Sequence, residues 1–188
     1  GATLPSAPSR DMGTKPLVVV TQGTHDVNPA DLIQPALEGL ADLEVDVLAT
    51  TGRRGGTNLG FAPPSNAHVV DLLDFASVLS EAAVFVTNGG WGGVLASLAA
   101  GVPVVVAAGS AADKPEIAAR VARSGGGLNL RTGRPKPSSV ARAVREVLAN
   151  TTYRARARQI GSELHSLGGA SAAADLVEQL ARTRAPVR

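Results

Sequence analysis

The chain has 188 residues, 44% of them hydrophobic and 18% charged, which suits one well-buried domain with a short arm. A formal charge of +2 provides no basic field for DNA or RNA, and the absence of cysteine removes disulfides, thiol nucleophiles and Cys-ligated zinc. His25, His68 and His165 are scattered without metal-ligand spacing, so no metal site is expected. Residues 1–15, rich in Pro, Ser and Ala, lack the apolar core of a signal peptide and read as a linker or tether in a cytoplasmic protein.

The periodicity begins at PLVVVTQG (16–23), a short apolar run ending in a turn. PADLIQPALEGLADL (29–43) follows at helical spacing, with Leu32, Ile33, Ala36, Leu37 and Leu40 on one face. VDVLATTG (45–52) is a second strand, a Gly- and Pro-rich loop follows, and NAHVVDLL (66–73) carries a third. FASVLSEA makes a short helix and AAVFVT (82–87) a fourth strand. WGGVLASLAAG is a helix with Trp91, Val94, Leu95 and Leu98 toward the sheet, and VPVVVAA (102–108) is a fifth strand. KPEIAARVARSG is helical, GGLNL (126–130) is a sixth, edge strand, and three helices close the domain at residue 184, leaving 185–188 as a tail.

No charged residue falls between Ala82 and Ala112, a stretch longer than a membrane span requires. Gly and Pro divide it into strand, helix and strand, and uncharged strands between helices are what a parallel sheet covered on both faces produces. Six strands alternating with helices imply an α/β domain, a Rossmann-like doubly wound parallel sheet over residues 16–184. Such sheets bind ligands at the carboxyl ends of their strands, which singles out the loops QGTHDVN, NGGWGG and AGSAADKP.

NGGWGG (88–93) opens a helix whose first-turn N–H groups have no intrahelical partner, and glycine lets an oxyanion approach that backbone with no Cβ in the way. A diphosphate against this loop accounts for four glycines better than a tight turn, which needs one or two. Neither a G-x-x-x-x-G-K-[ST] loop nor a G-x-G-x-x-G in the first turn is present, so an NTPase and a nicotinamide dehydrogenase are unsupported.

The run from Val69 to Leu130, with NGGWGG, the alanine-rich helix, Gly101-Val102-Pro103 and Asp113-Lys114 in that order, resembles the donor-binding C-terminal domain of family 1 glycosyltransferases with the GT-B fold, of the bacterial natural-product type. VTQGT (20–24) is similar to that family's first donor-domain loop. The resemblance implies one half of a transferase that moves a sugar from a nucleoside diphosphate, UDP or TDP, to a small acceptor, with inversion and without a metal or other cofactor.

Position by position, the resemblance puts Gly23 and Thr24 beneath the diphosphate and Asn88 where the family has a phosphate-binding histidine. Gly90, Trp91 and Gly92 supply backbone donors, while Gly93 replaces a Thr or Ser and loses a hydroxyl. Leu72 stands where an aromatic residue stacks on the base, and Leu73 where backbone reads the base edge. Asp113 matches the aspartate that holds sugar hydroxyls, with Lys114 in place of a glutamine. No catalytic residue is expected in this chain; the acceptor and its general base belong to an N-terminal domain, in cis or on a second chain.

Plainer readings stand beside several of these. Asp113, Pro115 and Glu116 also spell a capping box, and Trp91 suits core packing through its ring. His25 reads as an ordinary loop histidine in preference to a catalytic base, Arg53 and Arg54 either face the ligand mouth or are solvated loop charges, and the arginines of YRARAR (153–158) read as a solvated surface split between two helix faces. The alternatives for the whole chain are a non-catalytic nucleotide-sugar-binding module, a subunit of a split transferase, or half of a GT-B sugar-nucleotide epimerase.

Overall fold

Four apolar residues in a row, Leu17 to Val20, are almost wholly shielded from solvent, and their period of two decides which helices cover which face. Val18 and Val20 point to one side of the sheet, Leu17 and Val19 to the other. This arrangement comes from a computed structural model that describes residues 15–25 and 28–185. The expected tether, apart from Lys15, and the tail, apart from Ala185, lie outside the described residues, as do Asp26 and Val27 of the first loop.

The strands are β1 (Leu17–Thr21), β2 (Asp46–Thr50), β3 (Ala67–Val70), β4 (Ala82–Thr87), β5 (Val104–Val106) and β6 (Gly127–Asn129). They form one parallel sheet in the order β3-β2-β1-β4-β5-β6. The chain winds outward from β1 to β3, returns to lay β4 beside β1, then winds the other way. The crevice between β1 and β4 is therefore the point where strand order reverses.

Helices α1 (Ile33–Leu40) and α5 (Pro137–Ala149) cover one face. The other is covered by α2 (Phe75–Leu79), α3 (Trp91–Ala99), α4 (Lys114–Ser124) and α6 (Thr151–Ser166). The last helix, α7 (Gly169–Thr183), buries none of its residues. No described helix is long and apolar enough to cross a membrane.

Three sequence expectations change. The helix expected from residue 29 starts at Ile33, because the buried Gln22 side chain caps it: Oε1 accepts from the N–H groups of Leu32 and Ile33, each at 3.2 Å. A cap ten residues away in sequence leaves no local signal. Trp91 was expected to face the sheet but is 48% exposed, since as the first residue of α3 it stands above the strand ends; Val94 and Leu98 are buried as expected, and Leu95 is half-buried.

The arginines of α6 are not merely a solvated surface. Arg154 Nη1 donates to the carbonyl of Ala82 at 2.7 Å, and Arg156 Nε to that of Ser124, in the last turn of α4, at 2.7 Å. Helix ends leave carbonyls without intrahelical partners, and α6 lies close enough for its arginines to serve one. The closeness needs Gly161, where a Cβ would come 2.7 Å from the carbonyl oxygen of Leu98.

Candidate functional site

Three strands end alike: Thr21-Gln22-Gly23, Thr50-Thr51-Gly52 and Thr87-Asn88-Gly89. In each, the threonine Oγ1 accepts the N–H of the glycine two residues on, at 3.2, 3.3 and 3.4 Å, and the glycine has φ of +77°, +69° and +89°. Glycine adopts that left-handed conformation without a Cβ penalty. Parallel register sets Thr21 beside both Thr50 and Thr87, so the three turns lie side by side at the carboxyl edge of the sheet. The turns after β1 and β2 touch, for a Cβ on Gly52 would come 2.1 Å from the Gly23 carbonyl oxygen.

Asn88 ties this floor to α3. Its amide Nδ2 donates to the Gln22 carbonyl across the β1–β4 crevice, and Oδ1 accepts from Gly90 N at 3.3 Å. The residue is 8% exposed. Asn88→Ala would leave the Gln22 carbonyl short of a partner in a buried place, which costs about 1–3 kcal/mol. The expected result is a melting temperature lower by roughly 2–10 °C at this chain length, read by thermal denaturation; an unchanged melt would mean that the bridge contributes nothing.

The four glycines of NGGWGG separate into two kinds. Gly89 is demanded by its φ and by Val106, whose Cγ1 would lie 3.1 Å from an added Cβ. At Gly93 a Cβ would meet the ring of Phe85 at 3.3 Å; Phe85 and Phe75 form an edge-to-face pair with centroids 5.6 Å apart. The aromatic pair explains why no larger residue stands there. Gly90 and Gly92 are demanded by neither: an added Cβ would find only Asn88 Oδ1 at 3.7 Å from Gly90 and nothing within 4 Å of Gly92. Both have ordinary φ, and no side chain caps α3. An added side chain would thus have room at both positions, at the start of a helix where first-turn N–H groups lack intrahelical partners and the dipole is positive.

A cleft of about 150 Å³ above the threonine floor brings together Gly23, Thr24, Leu72, Leu73, Asn88, Gly90 and Gly93, all singled out from sequence. Thr21, Thr50, Gly52, Phe75 and Thr87 complete it and were missed. The repeated T-x-G was the available signal for four of them; its meaning emerges only when the strands stand in register. Trp91, Gly92 and Asp113 do not line this cleft. Lys114 lines a second, larger cleft of about 380 Å³ toward β5 and β6, which Asn88 also lines.

Asp113 is exposed, lines neither cleft and makes no side-chain cap, although it is the N-cap residue of α4. The expected capping box is absent because Glu116 pairs with Arg120 at 2.6 Å instead of reaching back. His25, Arg53 and Arg54 are exposed, and Arg53 lines a cavity of about 260 Å³ between the start of α1 and the loop after β2.

That loop is held by Asp71, whose carboxylate accepts from Gly55 N at 2.9 Å and Leu72 N at 2.7 Å. These bonds, the one to Gly55 foremost, hold the carboxyl below the usual aspartate range, with a smaller contribution from Arg54. A lowered folded pKa means that the stabilisation is complete above the ordinary aspartate pKa and is lost as pH falls through the lowered one. The amide resonances of Gly55 and Leu72 should therefore shift with a midpoint below the ordinary aspartate value, and Asp71→Asn should abolish that titration. A midpoint at or above the ordinary value would contradict the assignment.

The profile of the family described as erythromycin biosynthesis protein CIII-like, C-terminal domain, matches residues 34–180. The chain is 43% identical over 153 residues to UDP-glucosyltransferase 1 of Beauveria bassiana (strain ARSEF 2860), covering 80% of this chain and 33% of that protein. It is 40% identical over 167 residues to 4'-demethylrebeccamycin synthase of Lentzea aerocolonigenes, covering 88% and 38%. Among solved structures, CalG4, the calicheamicin glycosyltransferase, superposes with a TM-score of 0.82 at 30% identity, over 94% of this chain and 44% of that one. The chain thus spans between a third and less than half of the length of these proteins.

Proposed function

Because this chain belongs to the erythromycin biosynthesis protein CIII-like family through its C-terminal domain, we propose that it is the donor-binding half of a glycosyltransferase. In this reading it binds a UDP- or TDP-sugar and, with an acceptor-binding half, transfers the sugar to a small molecule with inversion and without a metal. The observation that carries the reading is the pair Gly90 and Gly92, two glycines that the fold does not require, at the uncapped start of a helix in the crevice where strand order reverses.

The chemistry follows from that placement. The nucleoside lies in the cleft of Leu72, Leu73 and Phe75, and the diphosphate against the first turn of α3. An acceptor oxygen forms a bond to the anomeric carbon from the side opposite the diphosphate. The bond from that carbon to the phosphate oxygen breaks, its electron pair stays on the diphosphate, and the acceptor proton goes to a base of the other half. The N–H groups of α3, aimed at the charge that develops on the leaving group, supply the stabilisation that a metal gives elsewhere.

The α7 helix supports the need for a second half. Leu176, Val177 and Leu180 are 50%, 68% and 50% exposed at helical spacing, an apolar face that fits an N-terminal acceptor-binding half in cis or on a second chain. Calorimetry in the absence of Mg²⁺ tests donor binding: UDP or TDP should bind more tightly than the matching nucleoside, and equal affinities would overturn the reading.

A further inference from the structure

The cavity of about 260 Å³ beside the start of α1 shares no lining residue with the cleft above the threonine floor or with the larger one toward β5 and β6. It lies at the same carboxyl edge of the sheet, but on the α1 side. The turn Thr51-Gly52-Arg53 is the partition: Gly52 lines the cleft above the threonine floor, while Thr51 and Arg53 line this cavity. Both can therefore be filled at once.

The walls are fixed before any ligand arrives. Ile33 and Leu59 belong to the core on the α1 face, and Pro29 is half-buried, its carbonyl taken by Gln34 N at 2.8 Å. The loop after β2 is closed on itself, since Thr51 Oγ1 donates to the Gly56 carbonyl, Gly56 N donates to the Arg53 carbonyl at 2.9 Å, and Asp71 holds Gly55 N.

The polar groups left over on the lining are donors. The Gly56 carbonyl is occupied by Thr51, the Thr51 hydroxyl also accepts from Arg53 N at 3.4 Å, and Asn58 Oδ1 accepts from Gly60 N at 2.8 Å. What remains is the Asn58 amide Nδ2 and the Arg53 guanidinium. Arg53 is exposed and is the one charged residue of the lining, and no hydrogen bond or ion pair among the described residues engages its side chain. Two free donors, one of them cationic, set beside three apolar residues fit an acid on an apolar body. An apolar cavity of about 150 Å³ takes a benzene ring, so this one has room for a ring and a carboxylate arm.

We infer that this cavity is a second small-molecule site, for an aromatic carboxylate whose ring lies against Pro29, Ile33 and Leu59 and whose acid meets Arg53 and Asn58. The site stands apart from the donor-binding reading, because it uses none of that cleft's residues.

Phenylacetate and benzoate, with phenylacetamide and benzamide as neutral counterparts, test this by calorimetry and amide resonances on the full chain. Each acid should bind about twofold to fivefold more tightly than its amide at low salt, with the ratio shrinking as salt rises, and should shift the resonances of Ile33, Gly56 and Leu59. Arg53→Gln should bring the ratio to about one. Arg54→Gln, which alters the neighbouring exposed arginine outside the lining, should leave it unchanged. Saturating UDP should leave acid binding in place. Equal affinities for acid and amide, equal loss in both arginine variants, displacement by UDP, or no binding of any probe at millimolar concentration overturns the inference.

Discussion

Replacing Gly90 with valine is expected to leave the domain folded while removing most of its preference for UDP or TDP over the nucleoside. The fold has room for the side chain: a Cβ at Gly90 meets only Asn88 Oδ1 at 3.7 Å, and the backbone there, at φ −61° and ψ 130°, is a conformation that valine adopts readily. The side chain would stand at the N-cap of α3, on the lining of the cleft where the proposed diphosphate meets the first-turn N–H groups. Hydrogen bonds to a charged group are worth about 1.5–3 kcal/mol each, so displacing the diphosphate from even one should lower affinity about tenfold or more. Calorimetry on the variant and a thermal melt read the two halves of the expectation. Gly89→Val provides the contrast, since its φ of +89° and the nearby Val106 make that position structural, and it should unfold the domain rather than empty the site. A folded Gly90→Val that binds UDP and TDP as well as the parent would show that the loop only turns the chain.

The contrast between Gly89 and Gly90 also marks how far the sequence could be read. Short apolar runs, several of them rich in valine, announce six strands, and the alternation of Leu17, Val18, Val19 and Val20 between two clusters is the consequence of a sheet covered on both faces. The NGGWGG loop stands out by its glycine count, but which of its glycines the fold demands depends on Phe85 and Val106, contacts made across the sheet. What was not legible is long-range. Gln22 caps a helix ten residues on, Asn88 bridges to the Gln22 carbonyl sixty-six residues earlier, and Arg154 reaches a carbonyl seventy-two residues back. The T-x-G endings sat in plain view, yet three separate tripeptides become one floor only through the parallel register of β1, β2 and β4. Asp113 shows the reverse: a local capping-box pattern that the structure does not use, because Arg120 one turn on competes for Glu116.

The isolated chain is expected to show no glycosyl transfer, even with donor bound. Transfer needs a base within reach of the acceptor hydroxyl and a site that excludes water around the anomeric carbon. Of the described residues, His25 is the histidine on a loop at the carboxyl edge of the sheet; it is exposed and lines neither cleft, while His68 lies within β3 and His165 within α6, its Nδ1 against the Gly161 carbonyl. The α3 N–H groups can hold a leaving diphosphate but cannot take a proton from an acceptor. The apolar face of α7 points to the same conclusion from the opposite end of the chain, since Leu176, Val177 and Leu180 gain burial only against a further surface. Supplying an acceptor-binding half, fused ahead of residue 1 or as a second chain, should therefore restore turnover that the domain alone lacks, measured as nucleoside diphosphate release dependent on a phenolic or macrolide acceptor. Turnover by residues 1–188 alone that His25→Ala abolishes would overturn this division of labour and place the base on the loop after β1.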